Sequence, residues 1–326
     1  MASTNTGGAT KKLLIIDTDP GIDDAMAIFA AFNSPEVDVI GLTTLFGNVK
    51  TSLATENALR LRELAGREDV PVIEGSSSTF AGVPNKRVAD FVHGQDGFGN
   101  THQPRPKGSK EEAMSAAEFI QQKVSQHPGR ITILALASLT NVALALSLDE
   151  TIGSKWAELV YLGGAFFRNG NVNPAAEANT LGDPEAADYV FGLGTNIKVV
   201  GMDVTVGCQL TAAEMEALDN GSTSGRFLHS ISRFYQDFYR KHHGINGVCL
   251  HDPTAFVAVI APDLFKWAEG CVRVSTDGIT RGMTVMDAGL CNWAEANAWS
   301  GRPRVQVALG VDETQVVQLI KGRMCK

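Results

Sequence analysis

The sequence predicts an α/β fold: a single domain with a mainly parallel central sheet flanked by helices. Two observations support this prediction. Short apolar runs alternate along the 326 residues with longer segments of helical spacing, and no low-complexity linker or internal repeat divides them. Hydrophobic residues make up 44% and charged residues 20%, which is ordinary for a chain that forms a core. We therefore expect one domain over residues 12–326, preceded by a small, polar and disordered tail, 1–11.

Each predicted strand is a short run of mostly apolar residues bounded by polar residues, glycine or proline. In chain order the strands are 13–17, 37–44, 70–74, 131–136, 158–162 and 197–200. The predicted helices have amphipathic or capped sequences and cover 22–33, 50–65, 111–125, 141–148, 184–191, 211–243 and 252–260. Residues 272–310 have strand and turn character. This alternation places helices on both faces of a Rossmann-like sheet.

Four aspartates lie within eight residues directly after the first predicted strand: Asp17, Asp19, Asp23 and Asp24. Open α/β sheets bind their ligands at the carboxyl ends of their strands, which is where these carboxylates lie. Charges so close together repel unless they are solvated, cap a helix or are neutralised by a cation. Carboxylate oxygens suit Ca²⁺ or Mg²⁺. Capping by Asp23 or Asp24 alone remains an alternative.

Other candidate residues follow later strands or lie in polar loops. They are Asn48, His93, Asn171, Glu177, Asn179, His251 and Asp252. In a neighbouring histidine and aspartate, one side chain can transfer protons while the other binds a metal ion. The alternatives are a helix cap at Asp252, an ordinary turn around Asn171 and a solvated loop histidine at His93. The long polar segment 75–110 and the aromatic helix 226–243 are predicted to close over a ligand.

Composition excludes several classes of function. The net charge of −8 and the absence of a long basic run argue against nucleic-acid binding. No apolar stretch reaches the roughly 18 residues that span a bilayer, so we expect no membrane partner. The five cysteines are scattered, without the close spacing of a zinc or redox motif, which predicts reduced thiols and a cytoplasmic protein.

These motifs together resemble the nucleoside hydrolases of the inosine–uridine-preferring family, and in particular the plant ribonucleoside hydrolases. The resemblance rests on short segments that occur in the family's order. They are Asp17-Thr18-Asp19-Pro20-Gly21-Ile22-Asp23-Asp24, Gly47-Asn48, His93-Gly94, Leu139-Thr140-Asn141, Glu177-Ala178-Asn179, Asp183-Pro184-Glu185, His251-Asp252-Pro253 and Gly282-Met283-Thr284. Ala178 departs from the aromatic residue common at that position, which leaves the base preference open.

The resemblance implies hydrolysis of the N-glycosidic bond of uridine, xanthosine or inosine, in nucleoside salvage and catabolism. It implies that Ca²⁺ is held by Asp19, Asp24, Asp252 and the backbone carbonyl of Leu136. A water on the metal would lose its proton to Asp19, and His251 would assist the leaving base. The residues implied to bind substrate are Asp23, Asn48, His93, Asn171, Glu177, Asn179, Tyr239 and Asp252. Family members are usually homodimers or homotetramers.

Two alternatives use the same residues. In a Mg²⁺-dependent phosphatase with an aspartate nucleophile, Asp17 and Asp19 would form the Asp-x-Asp motif. Gly21, however, stands where that motif usually has threonine. A non-catalytic nucleoside-binding protein would keep the cavity but would need neither a base at Asp19 nor an acid at His251.

Overall fold

The computed structural model describes residues 10–326. The predicted tail, 1–11, lies outside the described residues except for its last two. The strands are β1 Lys12–Thr18, β2 Val37–Thr44, β3 Val72–Glu74, β4 Ile131–Ala135, β5 Glu158–Leu162, β6 Ile197–Val200, β7 Gln209–Thr211, β8 Gly247–Cys249, β9 Phe265–Val274, β10 Thr284–Asp287 and β11 Val305–Val311.

Twelve α-helices are found across the described chain. They are α1 Ile22–Phe32, α2 Thr51–Leu64, α3 Asp90–His93, α4 Ala116–Gln126, α5 Thr140–Leu148, α6 Ala178–Gly182, α7 Pro184–Leu193, α8 Met202–Thr205, α9 Ala212–Glu216, α10 Thr223–His243, α11 His251–Ile260 and α12 Glu313–Met324. Three short 3₁₀ helices cover Glu150–Ser154, Pro262–Leu264 and Gly278–Thr280. Within residues 10–326, no helix is both long and apolar enough to cross a membrane.

The central sheet confirms the predicted α/β class. Nine strands are ordered β10-β9-β11-β6-β5-β4-β1-β2-β3. Neighbouring strands run parallel from β11 through β6 to β3, and only the pairings of β9 with β10 and with β11 are antiparallel. Strands β7 and β8 form a separate antiparallel pair. The carboxyl ends of β1, β2, β4 and β5 therefore meet at one edge, where the predicted site residues follow them.

Both faces of the sheet are covered, as strand periodicity requires. Along β1, Leu14 and Ile16 pack into one core cluster with α1, α10, α11 and α12. Ile15 points to the opposite face and packs into a second cluster with α4, α5 and α7. Strands buried on both faces are continuously apolar, which explains why short apolar runs identified them in the sequence.

Three of the predicted helix boundaries were wrong, two of them because a local cap decides where the helix starts. The helix predicted over 111–125 begins only at Ala116, because Ser115 forms a capping box with Glu118. The segment 211–243 is not one helix: Thr211 caps α9, and the chain turns before Ser222 caps α10. The third correction concerns α11, which begins at His251 with no side-chain cap. Asp252 lies inside its first turn, so its carboxylate is free to face the site.

Candidate active site

The chain after β1 packs closely against the loop that follows β2. Leu45 donates its N–H to the carbonyl of Thr18, and the Asn48 N–H donates to Asp19 Oδ2 at 2.6 Å. Gly47 permits this approach, because a Cβ there would lie 1.9 Å from Asp19 Oδ2. Asp19 is therefore buried in a fixed orientation, with the Asn48 side chain 3.4 Å from its other oxygen.

Asp24 caps α1 and also belongs to a cluster of buried polar side chains. Its carboxylate accepts from the N–H of Gly21 at 2.9 Å, which completes a capping interaction at the start of α1. It also accepts from Thr18 Oγ1 and, at 2.9 Å, from Asn48 Nδ2. Capping alone would not need these buried side-chain contacts, so Asp24 is held as part of the polar cluster.

Three carboxylates meet where α1 and α11 begin. Oxygens of Asp23, Asp24 and Asp252 lie within 4.8 Å of one another. The Oδ1 atom of Asp23 is buried without a hydrogen-bond partner, and no Lys or Arg of residues 10–326 forms an ion pair with any of the three. Burial, followed by repulsion from Asp24, raises the pKa of Asp23 to about 7. Burial and the neighbouring aspartates raise the pKa of Asp252 well above its usual range.

Asp19 borders this cluster and, like its members, is a buried carboxylate close to other carboxylates. Burial and then the charge of Asp24 raise the pKa of Asp19 well above its ordinary value. The carbonyl oxygen of Leu136, which follows β4, accepts from Asn179 Nδ2 at 2.8 Å and also lines the nearby cavity. A set of buried carboxylate and carbonyl oxygens without a cationic side chain fits a hard divalent cation.

A cavity of about 280 Å³ opens above these carboxylates. The structure brings all eight predicted substrate-binding residues together around it: Asp23, Asn48, His93, Asn171, Glu177, Asn179, Tyr239 and Asp252. His251 and Leu136 also line the cavity, whereas Asp19 and Asp24 lie beneath its surface. The mixed polar and aromatic lining suits a small molecule with a hydroxylated part and a planar part.

The polar wall of the cavity is held rigidly by backbone contacts. Glu177 caps α6 and accepts from the N–H groups of Gly164, Asn179 and Thr180 at 2.9 to 3.1 Å. Asn171 Oδ1 accepts from the Ala178 N–H at 2.9 Å. These side chains are positioned before a ligand arrives, so the polar wall can bind hydroxyl groups with little loss of side-chain entropy.

A chain of hydrogen bonds runs from the carboxylates to the far end of the cavity. The Tyr235 hydroxyl donates to Asp23 Oδ2 at 3.2 Å and lies 3.4 Å from the Tyr239 hydroxyl. Tyr239 is 2.8 Å from His251 Nε2, and His251 Nδ1 is 2.8 Å from Thr205 Oγ1. Burial, with smaller contributions from His243 and Arg168, lowers the pKa of His251 to about 4, so its ring is neutral at pH 7.

His93 is buried rather than a solvated loop residue. Its Nδ1 accepts from the Ile22 N–H at 3.2 Å, its ring stacks on Tyr235 at 5.3 Å, and Asp23 Oδ1 is 3.9 Å from Nδ1. Burial and then the proximity of His251 lower the pKa of His93 to about 3. Gly21 makes room for this ring, because a Cβ at that position would lie 2.7 Å from His93 Nδ1.

Asp17 faces away from the cavity. Its Oδ1 accepts from Thr43 Oγ1 at 2.6 Å and from Asn141 Nδ2 at 2.8 Å, which ties β1 to β2 and to α5. Asn141 also binds the Thr44 carbonyl and the Ser76 N–H. Asp17 thus braces the strand ends that carry the other acids, and it offers no exposed oxygen to a substrate.

Sequence reasoning missed several cavity residues. Arg87, Phe91 and Phe238 line the cavity, and so do Thr205, which contacts His251, and Arg168, which contacts the helix that carries Thr205. No motif marks them, because each sits in a loop or on a helix whose position relative to the strands depends on tertiary packing. The only signal was indirect: the glycine-rich loop and the aromatic helix were both predicted to lie near the ligand.

The fold and the site define an α/β protein with a polar cavity at the carboxyl edge of a parallel sheet and buried acids beside that cavity. The family model described as inosine-uridine preferring nucleoside hydrolase matches residues 14–318. Uridine nucleosidase 1 of Arabidopsis thaliana is 52% identical over 96% of this chain and 93% of that relative. An inosine-uridine preferring nucleoside hydrolase of Leishmania major is 36% identical over 84% of the chain and 88% of its own length.

Solved structures agree with this comparison. A plant nucleoside hydrolase, the PpNRh1 enzyme, superposes with a TM-score of 0.95 at 48% identity, covering 97% of this chain and 99% of its own. A purine-preferring ribonucleoside hydrolase from Gardnerella vaginalis superposes with a TM-score of 0.88 at 32% identity, covering 96% and 98%. The chain therefore belongs to the inosine-uridine preferring nucleoside hydrolase family. It is a ribonucleoside hydrolase, and enzymes of this family are metal-dependent.

Proposed function

We propose that this enzyme carries out Ca²⁺-dependent hydrolysis of the N-glycosidic bond of ribonucleosides, releasing ribose and a free base. Uridine is the leading substrate, with xanthosine and inosine in the same class, because relatives about half identical over nearly the whole chain are named uridine nucleosidases. The observation that carries the proposal is the group of buried carboxylates without a cationic side chain, placed directly beneath a polar cavity. Such a group needs a metal ion and can stabilise a cationic sugar.

Ca²⁺ is proposed to be held by Asp19, Asp24, Asp252 and the Leu136 carbonyl. The free oxygen of Asp23 faces the same point, which supports a role for it beside the metal and the ribose. Bound Ca²⁺ would orient the ribose diol and a water molecule and would favour ionisation of that water. Ca²⁺ accepts six to eight oxygen ligands, including carbonyls and hydroxyls, so this donor set suits it better than the strict octahedron of Mg²⁺.

Asp19 is proposed as the general base. The Asn48 N–H at 2.6 Å and the packing of Gly47 fix its carboxylate, so its orientation is set before substrate binds. Asp19 would take a proton from the attacking water as the C1′–N bond lengthens. The ring then develops oxocarbenium character, and the surrounding carboxylates stabilise that positive charge. The remaining cavity amides and Glu177 would bind the ribose hydroxyls.

His251 and Tyr239 are proposed to assist the leaving base. Since His251 is neutral at pH 7, it acts through a hydrogen bond rather than as a charged acid. With Thr205 donating to Nδ1, the Nε2–H of His251 donates to the Tyr239 oxygen, which leaves the Tyr239 hydroxyl able to donate a hydrogen bond to the base. His93 is proposed to border the substrate beside Asp23.

A substrate panel tests the proposal. Pure protein is incubated with uridine, inosine, xanthosine and p-nitrophenyl phosphate, and free ribose and free phosphate are measured. We expect ribose release that is lost in Asp19→Asn and retained in Asp263→Asn, an exposed aspartate outside the cavity. Phosphate release without ribose would contradict the proposal and favour the phosphatase. Substrate binding without either product would favour a non-catalytic binding protein.

The phosphatase alternative has a specific weakness. The first aspartate of the Asp-x-Asp motif, Asp17, is fully buried, and its Oδ1 is occupied by Thr43 and Asn141. A phosphoryl acceptor at that position could not reach a substrate in the cavity. We therefore propose that Asp17 supports the turn and takes no part in the chemistry.

The remaining expectations are assembly, location and cavity closure. A homodimer or homotetramer is tested by light scattering, and a cytoplasmic location by fractionation of the source cells. The 75–110 segment and α10 both contribute to the cavity lining, which supports their closing over substrate. We retain residues 12–326 as one folding unit, which a single cooperative unfolding transition would support.

A further inference from the structure

The end of the cavity that would receive the base is lined by Tyr239, His251 and Arg168. Tyr239 and His251 lie 2.8 Å apart and are hydrogen-bonded to each other, whereas Arg168 is a cationic side chain. When the C1′–N bond breaks, its electron pair leaves with the base nitrogen. A cation at this end of the cavity can stabilise the negative charge that builds on the base.

Arg168 is placed to meet that charge. It lies on the loop between β5 and α6 and lines the cavity together with His243 and His251. Its Nη1 donates to the Met202 carbonyl at 3.2 Å, at the start of the same short helix whose Thr205 contacts His251.

The loop that carries Arg168 is fixed by the same helix. Both oxygens of the Asp203 carboxylate accept backbone N–H groups, from Phe166 at 2.9 Å and from Phe167 at 2.8 Å. Within residues 10–326, Arg168 forms no ion pair with a carboxylate, so its remaining guanidinium N–H groups are free for a ligand. Arg168 is thus an exposed cation on an anchored loop at the border of the cavity, without an acidic partner among residues 10–326.

We propose that Arg168 determines base specificity by binding a carbonyl oxygen of the base and stabilising the base as it departs. This inference deepens the proposed hydrolysis and rests on it. In the reaction the C1′–N bond breaks, the water oxygen bonds to C1′, Asp19 takes one water proton, and the base leaves with the electron pair and then gains a proton from solvent. The guanidinium stabilises the carbonyl oxygen, which carries much of the departing charge.

The same contact predicts a preference among bases. Uracil presents carbonyl oxygens at C2 and C4, and hypoxanthine presents one at C6. Cytosine and adenine replace the C4 and C6 oxygens with amino groups, which are hydrogen-bond donors and would face the donors of Arg168. When Arg168 faces the C4 or C6 position, an amino group there forms no hydrogen bond with the guanidinium, so bases with a carbonyl group at that position are favoured over their amino counterparts.

The test compares leaving groups in Arg168→Gln, Arg168→Lys and the matched control Arg130→Gln. Arg130 is exposed and lies just before β4, at the opposite end of the sheet. The values of kcat and KM are measured for uridine, cytidine and p-nitrophenyl riboside, whose phenolate leaves readily without electrostatic help. In Arg168→Gln we expect the kcat/KM ratio of uridine to p-nitrophenyl riboside to fall at least tenfold, mainly through kcat. The preference for uridine over cytidine should shrink.

Arg168→Lys should cleave uridine faster than Arg168→Gln but more slowly than the wild type, since lysine carries the positive charge without the planar guanidinium. The control Arg130→Gln should match the wild type. Parallel losses on uridine and p-nitrophenyl riboside would mean a structural role and would overturn the inference. So would unchanged ratios in Arg168→Gln. Wild-type protein that cleaves neither substrate would instead overturn the proposed hydrolysis itself, an outcome distinct from a failure at Arg168.

Discussion

The fixed orientation of Asp19 can be tested by adding a single methyl group at Gly47. In Gly47→Ala the new Cβ would lie 1.9 Å from Asp19 Oδ2, where ordinary contact begins at 3.4 Å, so the carboxylate must move by about 1.5 Å. A displacement of about 1 Å costs on the order of 10²-fold in rate. We therefore expect kcat for uridine to fall at least about 10²-fold. The Asn48 N–H contact to Asp19 should be lost at the same time.

Backbone strain must be separated from this effect. Gly47 has φ +154°, a region that favours glycine, and alanine there costs about 1–3 kcal/mol of stability. Gly129→Ala is the matched control: Gly129 has φ +73°, and its added Cβ would meet no atom within 4 Å. Both variants should unfold at lower urea, but only Gly47→Ala should lose kcat in the folded protein. A folded Gly47→Ala with at least half of the wild-type kcat would refute the reasoning.

Three further predictions concern the other acids, a buried histidine and the loop. Asp17→Asn should reduce kcat far less than Asp19→Asn, because Asp17 faces away from the cavity; equal losses in initial rate would contradict this. His93 has a pKa of about 3 when folded and 6.5 when unfolded, so its stabilising contribution is complete above pH 6.5 and is lost as pH falls towards 3. Between pH 7.5 and 5.0 the contribution of His93 should fall by about 2 kcal/mol of unfolding free energy, so urea titrations should find the total pH-dependent loss smaller by about that amount in His93→Gln and unchanged in the exposed control His127→Gln. Limited proteolysis within 75–110 should slow when a ribosyl analogue is bound, and equal cleavage rates would argue against closure.

Much of the site was predictable because its residues follow strands. Asp19 and Asn48 each come after a short apolar run, and parallel strands bring such positions to one edge. The Leu136 carbonyl was implied by the resemblance alone. The resemblance to the family then connected them with Glu177 and Asp252, which lie far along the chain. The grouping of these distant residues around one cavity follows from topology that the alternation of strands and helices already indicates.

The rest depended on contacts that no short pattern contains. Arg168 is placed by Asp203, on a helix of only four residues that the sequence did not reveal. Tyr235 contacts Asp23 only because α10 begins after a turn at Ser222, where continuous helix was predicted. The C-terminal helix α12 was missed as well, although it packs against α1 and helps to bury it. In each case tertiary packing or a local cap decides the result.

The central claim is that the buried carboxylates hold a Ca²⁺ ion on which hydrolysis depends. The most direct measurement is ribose release from uridine by protein stripped of metal and then titrated with Ca²⁺, with the bound metal measured by elemental analysis. We predict no activity without metal and a saturable return of activity at one Ca²⁺ per chain. Full activity in protein that elemental analysis shows to be free of divalent metal would contradict the claim.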